Sequence, residues 1–430
     1  MLGTLKNAFR IPDLRKKLLF TVLILILYRL GAQIPVPFVS AEALQSFANA
    51  ASGSLFEYFN LLSGDAFSHA TLFALSITPY ITASIVIQLL TIAIPALERM
   101  AKDGDEGPRK INRITRYLTV ALSLITSYGY YRIISGSGYN AVETVENVPS
   151  AFIGVVIVAS YCAGASLIMW MAERINEFGI GNGISLILFV NIISRLPAIF
   201  SQYVLNASSA WTAILITLAV IVVLVVVIFF VLEVTNAERR LPVQYAKKVV
   251  GRKMYGGQNT TLPIKVNMNG VMPIIFASSI VSLPTTIATL AGADTTKGIW
   301  HFFSYESWFY SLIYFLLIIA FAYFYSAISF NPVEVANNLK KNGGFILGIR
   351  AGKPTADYIK KILNKITLIG AIFLSIISVV PLIINMFLSS SVSILAFSGS
   401  SLLIVVGVVQ ETARDIEAQM TLRHYKGFLD

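Results

Sequence analysis

The chain has 430 residues, of which 56% are apolar and 13% are charged, and its mean hydropathy is +0.73. Soluble domains are about a quarter charged, so this composition excludes an ordinary soluble protein and indicates a membrane protein with many spans. The formal net charge of +11 could suggest a nucleic-acid partner, but an excess of Lys and Arg in cytoplasmic loops explains it first.

Ten apolar runs predict ten membrane-spanning helices, because each is long enough to cross the hydrocarbon core and carries few charges. With the N-terminus inside, 29 of the 33 Lys and Arg residues fall in inner segments, and Arg29, Arg132, Arg195 and Lys297 fall on the outer side. This asymmetry predicts that both termini are cytoplasmic. The predicted spans cover residues 18–35, 71–95, 114–134, 151–172, 183–200, 210–232, 271–290, 307–328, 366–385 and 395–411.

The N-terminal sequence MLGTLKNAFRIPDLRKKLLFTVLILIL has a basic arm followed by an apolar run, as a cleaved signal peptide does. No clear small-residue cleavage site follows Tyr28, and nine more spans follow, so a retained first span is the better interpretation. Five spans in each half would make any repeat an inverted one. The predicted divisions are an arm (1–17), two halves (18–200 and 201–411) and a tail (412–430).

The segment 55–70 is too apolar for a loop in water and too short to cross a bilayer, yet it carries Glu57, Asp65 and His69. A re-entrant segment is allowed at membrane depth where it lines a cavity. The alternative is an amphipathic helix lying in the interface. Four apolar residues of the segment share one helix face: Leu55, Phe56, Phe59 and Leu62.

The predicted span interiors lack charged residues and histidine, and the outer arginines lie near span ends, where they can snorkel to water. Ion-coupled transporters usually need ionisable groups at mid-membrane, which counts against the alternative function, a small-solute secondary transporter. No catalytic triad, phosphate loop or metal-ligand spacing is visible in the sequence, so we expect no enzyme activity, cofactor or metal. The lone Cys162 is predicted to be a small buried hydrophobe.

Two long basic loops, 233–268 and 329–365, lie on the predicted cytoplasmic side. In the first, VQYAKKVVGRKMY predicts a β-hairpin with a turn at Gly256–Gly257. In the second, Asn331–Pro332 breaks a helix, and turn residues between Gly348 and Gly352 place Arg350 at a tip. Loops of this length are usually functional, so we predict a docking platform for anionic lipid, nucleic acid or an acidic protein. The alternative is an orientation signal only.

Six stretches occur in one order: FNLLSGDAFSHATLFALSITPYITASIVIQLL, EFGIGNGISLILF, LPVQYAKK, LPIKVNMNGVMPIIFASSI, FNPVEVANNLKKNGGFILGIRAG and SGSSLLIVVGV. Together they resemble the SecY family, the central subunits of bacterial protein-translocation channels. The resemblance implies an all-α polytopic membrane protein with ten transmembrane helices in two pseudo-symmetric inverted five-helix halves around a central hourglass pore. It also implies a non-enzymatic channel of the bacterial inner membrane. Such a channel passes unfolded secretory polypeptides and releases transmembrane segments sideways into lipid.

The resemblance also implies a pore ring at the waist and a lateral gate. Without it, any isoleucine in a span would be assigned to lipid contact or helix packing, and serines in a span to bonds within their own helix. Leu188 departs from the usual isoleucine. The implied ring is Ile77, Ile81, Ile184, Leu188, Ile275 and Ile404. The implied gate residues are Gln88, Asn182, Ser278 and Ser279.

Finally, the resemblance implies a plug, docking sites and partners. The plug would be the segment 55–70, closing the outer funnel with Leu55, Phe56, Phe59, Leu62, Gly64 and Phe67. The implied partners are SecE, SecG, the SecA ATPase, the ribosome, signal peptides, nascent chains and membrane lipids. Ala351 stands where relatives often have proline. The implied SecA and ribosome docking residues are Arg239, Arg240, Lys247, Lys248, Arg252, Lys253, Lys340, Lys341 and Arg350.

Overall fold

The computed structural model is mostly helical. It describes residues 8–50, 60, 63–101, 103–104, 106–136, 141–143, 148–206, 210–245, 248–250, 253–255, 259–268, 270–290, 298–303, 307–387 and 393–426. The first half contains α1 (Pro12–Gly31), α2 (Ala41–Ala50), α3 (Thr78–Ala93), α4 (Pro95–Ala101), α5 (Glu106–Gly136), α6 (Ser150–Phe178) and α7 (Gly183–Asn206). The second half contains α8 (Ala210–Asn236), α9 (Met272–Val281), α10 (Leu283–Leu290), α11 (Trp308–Ser329), α12 (Pro332–Lys341), α13 (Lys353–Phe387) and α14 (Ser393–Lys426), with a 3₁₀ turn at Gly298–Phe303.

Each predicted span overlaps at least one of these helices, with two differences. The second span becomes helical only at Thr78, not at residue 71, and the seventh is divided into α9 and α10 at Ser282. By length and hydropathy alone, three described helices can cross a membrane, and the pair α3–α4, bent by 107°, makes a fourth. The count of ten spans stays a prediction. The three helices are Ser150–Phe178, Trp308–Lys341 and Lys353–Ile384.

Local sequence explains where several helices begin and end. Asn331 caps α12, since its side-chain oxygen accepts from the backbone N–H groups of Val333 and Glu334, and Pro332 takes the first helical position. Ile94 is extended and Pro95 follows it, which ends α3 and allows the sharp bend into α4.

One large apolar core joins the two halves. It contains buried residues from α1, α3, α6 and α7 in the first half and from α8, α9, α11, α13 and α14 in the second. Between the halves, α3 contacts α9 and α7 contacts α14. A second, smaller core at the predicted outer ends packs Phe67 with Tyr130 and Tyr161.

The two long loops combine in one small sheet. Strands β1 (Glu238–Tyr245) and β4 (Asn259–Lys265) come from the first loop, and β5 (Gly344–Ile346) comes from the second; the order is β4-β1-β5, all antiparallel. A separate pair joins β2 (Lys248–Val250) to β3 (Lys253–Tyr255). The predicted hairpin therefore exists as the β2–β3 pair, and Gly256–Gly257, where its turn was predicted, lie outside the described residues.

Candidate functional site

The six residues predicted for the pore ring come together from four helices. They lie at the start of α3, at the start of α7, in α9 and in α14, and all belong to or pack against the large apolar core. Ile184 is partly buried. The other five are at most 6% exposed: Ile77, Ile81, Leu188, Ile275 and Ile404.

The six side chains predicted for the ring have no polar group that could bind an ion. Each is a hydrocarbon, so it offers an ion no ligand to replace water. In the part of the chain that the structure describes, no group of three His, Cys, Asp or Glu residues is arranged to hold a metal.

The segment just before α3 is a chain of tight turns tied to three helices. Gly64, Asp65, Ala70 and Ser76 all have positive φ angles, which prevents a regular helix and explains why α3 begins only at Thr78. On its outer side the segment pairs with the chain that follows α1: the Val36 N–H donates to the Ala70 carbonyl at 2.9 Å. Phe67 is buried, and the Tyr130 hydroxyl donates to its carbonyl oxygen at 2.6 Å. Of the predicted plug residues, Gly64 and Phe67 lie here; Leu55, Phe56, Phe59 and Leu62 lie outside the described residues.

Two arginines from distant spans also reach this segment. Arg195 of α7 pairs with Asp65, with 2.9 Å between Nε and Oδ1, and the Arg29 side chain of α1 donates to the Gly64 carbonyl oxygen at 3.3 Å. The sequence suggested only that these arginines snorkel to water. The available signal was Asp65 itself, a carboxylate predicted to lie on the same outer side as the two arginines.

The predicted gate residues have different partners. The Tyr325 hydroxyl of α11 donates to the Gln88 Oε1 atom of α3 at 2.6 Å, a bond between the halves. Ser278 and Ser279 instead donate to the Ile275 carbonyl oxygen within their own helix, at 2.8 and 2.9 Å. Both hydroxyls therefore make the bonds within the helix that the alternative interpretation expects, and their place in the gate stays a prediction.

Tyr325 is a residue at the seam between the two halves that the sequence reasoning missed. Its ring also lies 5.0 Å from the ring of Phe276 in α9, so it touches both sides of the seam between α3 and α9. Asn182, the fourth predicted gate residue, caps α7: its side-chain oxygen accepts from the Ile184 N–H at 3.0 Å. A role in capping explains Asn182 without a gate.

The predicted platform, here residues 238–265 and 332–352, has its own small core. Leu241, Val243 and Ile264 of the sheet pack with Leu339 of α12 and Ile359 of α13. Burial, with the nearby positive charge of Arg414 second, lowers the pKa of Lys265 at the end of β4. The sheet is therefore packed against α12 and α13.

Five predicted docking residues have described side chains, and all five lie on the surface of this platform. Arg350 is exposed between Gly348 and Gly352, whose φ angles of +77° and +102° form the predicted tip. The Thr355 hydroxyl donates to the Arg350 carbonyl oxygen at 2.8 Å and fixes the turn. Lys248 and Lys253 lie in β2 and β3, whereas Lys247 and Arg252 fall outside the described residues. The other exposed members are Arg239, Arg240, Lys340 and Lys341.

Comparisons with known proteins agree on one family. A family model described as SecY matches residues 71–413. The chain is 44% identical to the protein translocase subunit SecY of Streptomyces galbus over 442 residues, covering all of both chains. It is 41% identical to the subunit of the same name from Aquifex aeolicus, covering 99% of each.

Solved structures are similar in fold at low sequence identity. One is described as the structure of a protein conducting channel; it has a TM-score of 0.64 and 17% identity, and the match covers 94% of this chain and 92% of that one. Sec61 in the canine ribosome-channel complex has a TM-score of 0.60 and 15% identity, with the same coverage. The solved structures support the fold, and the full-length translocase subunits indicate the function.

Proposed function

The chain belongs to the SecY family and is a protein-conducting channel, and we propose that its waist is sealed by the six-residue apolar ring. The observation that supports this is the burial of ring residues from four helices in one core. Two of these helices, α3 and α7, belong to one half and two, α9 and α14, to the other, so separating the halves would open the ring. The small-solute transporter is set aside, because relatives that match the whole chain are translocase subunits.

The ring suits a polypeptide because it makes no specific demand on the passing sequence. An apolar constriction excludes ions by dewetting, and flexible hydrocarbon side chains can fit around an extended chain. The channel has no chemistry of its own and is not an enzyme. The energy for transport comes from a partner, which we propose to be the SecA ATPase or the translating ribosome.

The pore ring is tested by the ion permeability of vesicles that contain the resting channel. We expect Ile275→Ser, and more strongly Ile81→Ser with Ile275→Ser, to admit small ions, because a hydroxyl can hold water in the constriction. Ile221→Ser, on the exposed face of α8, is the matched control and should stay tight. An unchanged conductance in the double variant would show that these residues do not form the seal.

The remaining parts of the proposal concern the gate, the plug and the platform. Gln88 and Tyr325 would hold the lateral gate until a hydrophobic signal peptide or nascent transmembrane segment takes their place and leaves into membrane lipids. The segment 55–70 would be the plug. The exposed cations of the platform would meet ribosomal RNA and SecA, since phosphate groups attract Lys and Arg.

We further propose SecE and SecG as the other subunits and the bacterial inner membrane as the location, with both termini cytoplasmic. The side of the membrane is supported by the 29 of 33 Lys and Arg residues on one side. Affinity purification in mild detergent should recover two small membrane proteins with the chain, and SecA under low salt. Purification of the chain alone under these conditions would count against the partners.

A further inference from the structure

Asp65 is the charged group of the segment before α3, and it is held from two directions. Its Oδ1 atom accepts from Arg195 Nε at 2.9 Å and from Asn60 Nδ2 at 3.0 Å. The side chains of Arg195 and Asp65 are 17% and 33% exposed. An ion pair shielded to this degree is screened less by water than one on the surface, and losing one partner leaves the other charge poorly solvated.

The backbone beside Asp65 is fitted closely to the same helices. Gly64 has a φ of +64°, and a Cβ atom there would lie 3.1 Å from Arg29 Nη1 and from the Asn191 Cα atom. The Arg29 side chain donates to the Gly64 carbonyl oxygen. The left-handed turn therefore seats the chain against α7 while α1 holds it from the other side.

Further along the segment, contacts continue to the start of α3. The Asn191 amide of α7 donates to the Ser76 hydroxyl at 3.4 Å, and the Tyr130 hydroxyl of α5 donates to the Phe67 carbonyl oxygen. Asn60 also accepts from the Ser68 N–H at 3.0 Å. Residues 63–76 are thus bonded to α1, α5 and α7, all in the first half.

We propose that Asp65, Arg195 and Arg29 are positioning residues that anchor the base of the plug to the first half of the channel. In this proposal, which rests on the proposed plug and seal, the base stays attached to α1 and α7 while a polypeptide passes. The anchor holds the resting plug in register with the ring, since Ile77 follows the anchored segment directly. Opening moves the plug relative to a fixed base and does not withdraw the whole segment.

Charge exchange across the pair tests the anchor at rest. We expect Asp65→Asn and Arg195→Gln each to raise the ion leak of vesicles several-fold, and Asp65→Arg to raise it more. Combining Asp65→Arg with Arg195→Asp should bring the leak back toward that of the unmodified channel. Arg132→Gln, at an exposed arginine on the outer end of α5, should stay tight. Asp65→Asn with an unchanged leak, or a double exchange that leaks like Asp65→Arg, would overturn the anchor.

Crosslinking tests whether the anchor persists during transport, because a covalent link takes the place of the ion pair. Asp65→Cys and Arg195→Cys are introduced with Cys162→Ser, since the natural cysteine is the one other thiol in the chain, and are joined with a short bifunctional thiol reagent. The joined channel should translocate a precursor at the rate of the unjoined one. If crosslinking blocks translocation and cleaving the reagent restores it, the base of the plug must move away from α7 during transport, and the proposal would be wrong.

The result can be separated from failure of the channel function itself. The unmodified chain, with its co-purified subunits and ATPase, is assayed for translocation beside every variant. Absence of transport in that sample contradicts the proposed function. If the unmodified channel transports the precursor and the Asp65 variants show no added ion leak, only the anchor is contradicted.

Discussion

The segment before α3 and the predicted platform are both irregular parts of a helical protein, but they are held in different ways. Residues 63–76 take their shape from helices around them, through Arg29, Arg195 and Tyr130. The platform takes its shape from a sheet and a small core of its own. Its charges stay outside: Arg240, paired with Glu238, is 70% exposed, against 17% for Arg195.

This difference separates two uses of charge. A shielded pair with one geometry fixes a position, because moving either partner costs solvation that is not recovered. Exposed pairs add little stability, so the platform cations are available for recognition. Changes near the segment before α3 should therefore disturb structure and sealing. Changes on the platform should weaken the binding of partners and leave the fold intact.

The largest expected effect is on the packing of residues 63–76, the segment before α3. Gly164 of α6 lies against it, and an added Cβ would collide with the Leu72 carbonyl oxygen. We expect Gly164→Val to lower the free energy of unfolding by about 3 kcal/mol, as overpacking of a tight contact does. Thermal unfolding in detergent measures this. Ala163→Val, at the exposed neighbouring position, should have a melting temperature close to that of the unmodified chain; equal stability of both variants would mean that the segment is loosely seated.

The second prediction concerns the platform and should alter transport without altering stability. We expect Arg350→Glu to reduce SecA-driven translocation about tenfold, because reversal of an interfacial charge adds repulsion to the lost contact. The melting temperature should not change, since Arg350 is exposed. Lys353→Glu, an exposed lysine three residues on, makes the same change in net charge. If both variants lose activity equally, the platform acts through its total charge and not through the tip.

Much of this architecture was predictable, because long apolar runs have few alternatives to helices in a bilayer. The start of α3 was not: residues 71–77 are as apolar as the span, and hydropathy does not report the left-handed φ of Ala70 or Ser76. The cytoplasmic turns at Gly348 and Gly352 were predictable because glycine marks such positions.

Contacts between distant parts of the chain were beyond the sequence pattern. Strand β5 has three residues, and its partner is in another loop: Val243 pairs with Ile346. Asp65 and Arg195 were visible as outer charges, but nothing local indicated that they pair. The motif resemblance identified the family and supplied the proposed ring residues, yet it supplied neither Tyr325 nor the arginine contacts.

The smallest expected effect lies at the seam, where the Tyr325–Gln88 hydrogen bond joins α11 to α3. Tyr325 donates to Gln88 at 2.6 Å; Gln88 is exposed and Tyr325 is half-buried. A bond between helices in a membrane is worth about 1 kcal/mol, so Tyr325→Phe or Gln88→Ala should favour the open gate about fivefold. The readout is translocation of a precursor whose signal peptide is weakly hydrophobic, which should increase.

A double-variant cycle decides whether the two residues act as a pair at the gate. If the bond is the cause, Tyr325→Phe with Gln88→Ala should increase translocation no more than either change alone. Ser278→Ala is the control on the same seam, because that hydroxyl bonds within its own helix, and it should have no such effect. Additive effects of Tyr325→Phe and Gln88→Ala would mean that each residue acts separately. The seam would then be held by apolar packing, including Phe276 against Tyr325, which a signal peptide could replace without breaking a polar bond.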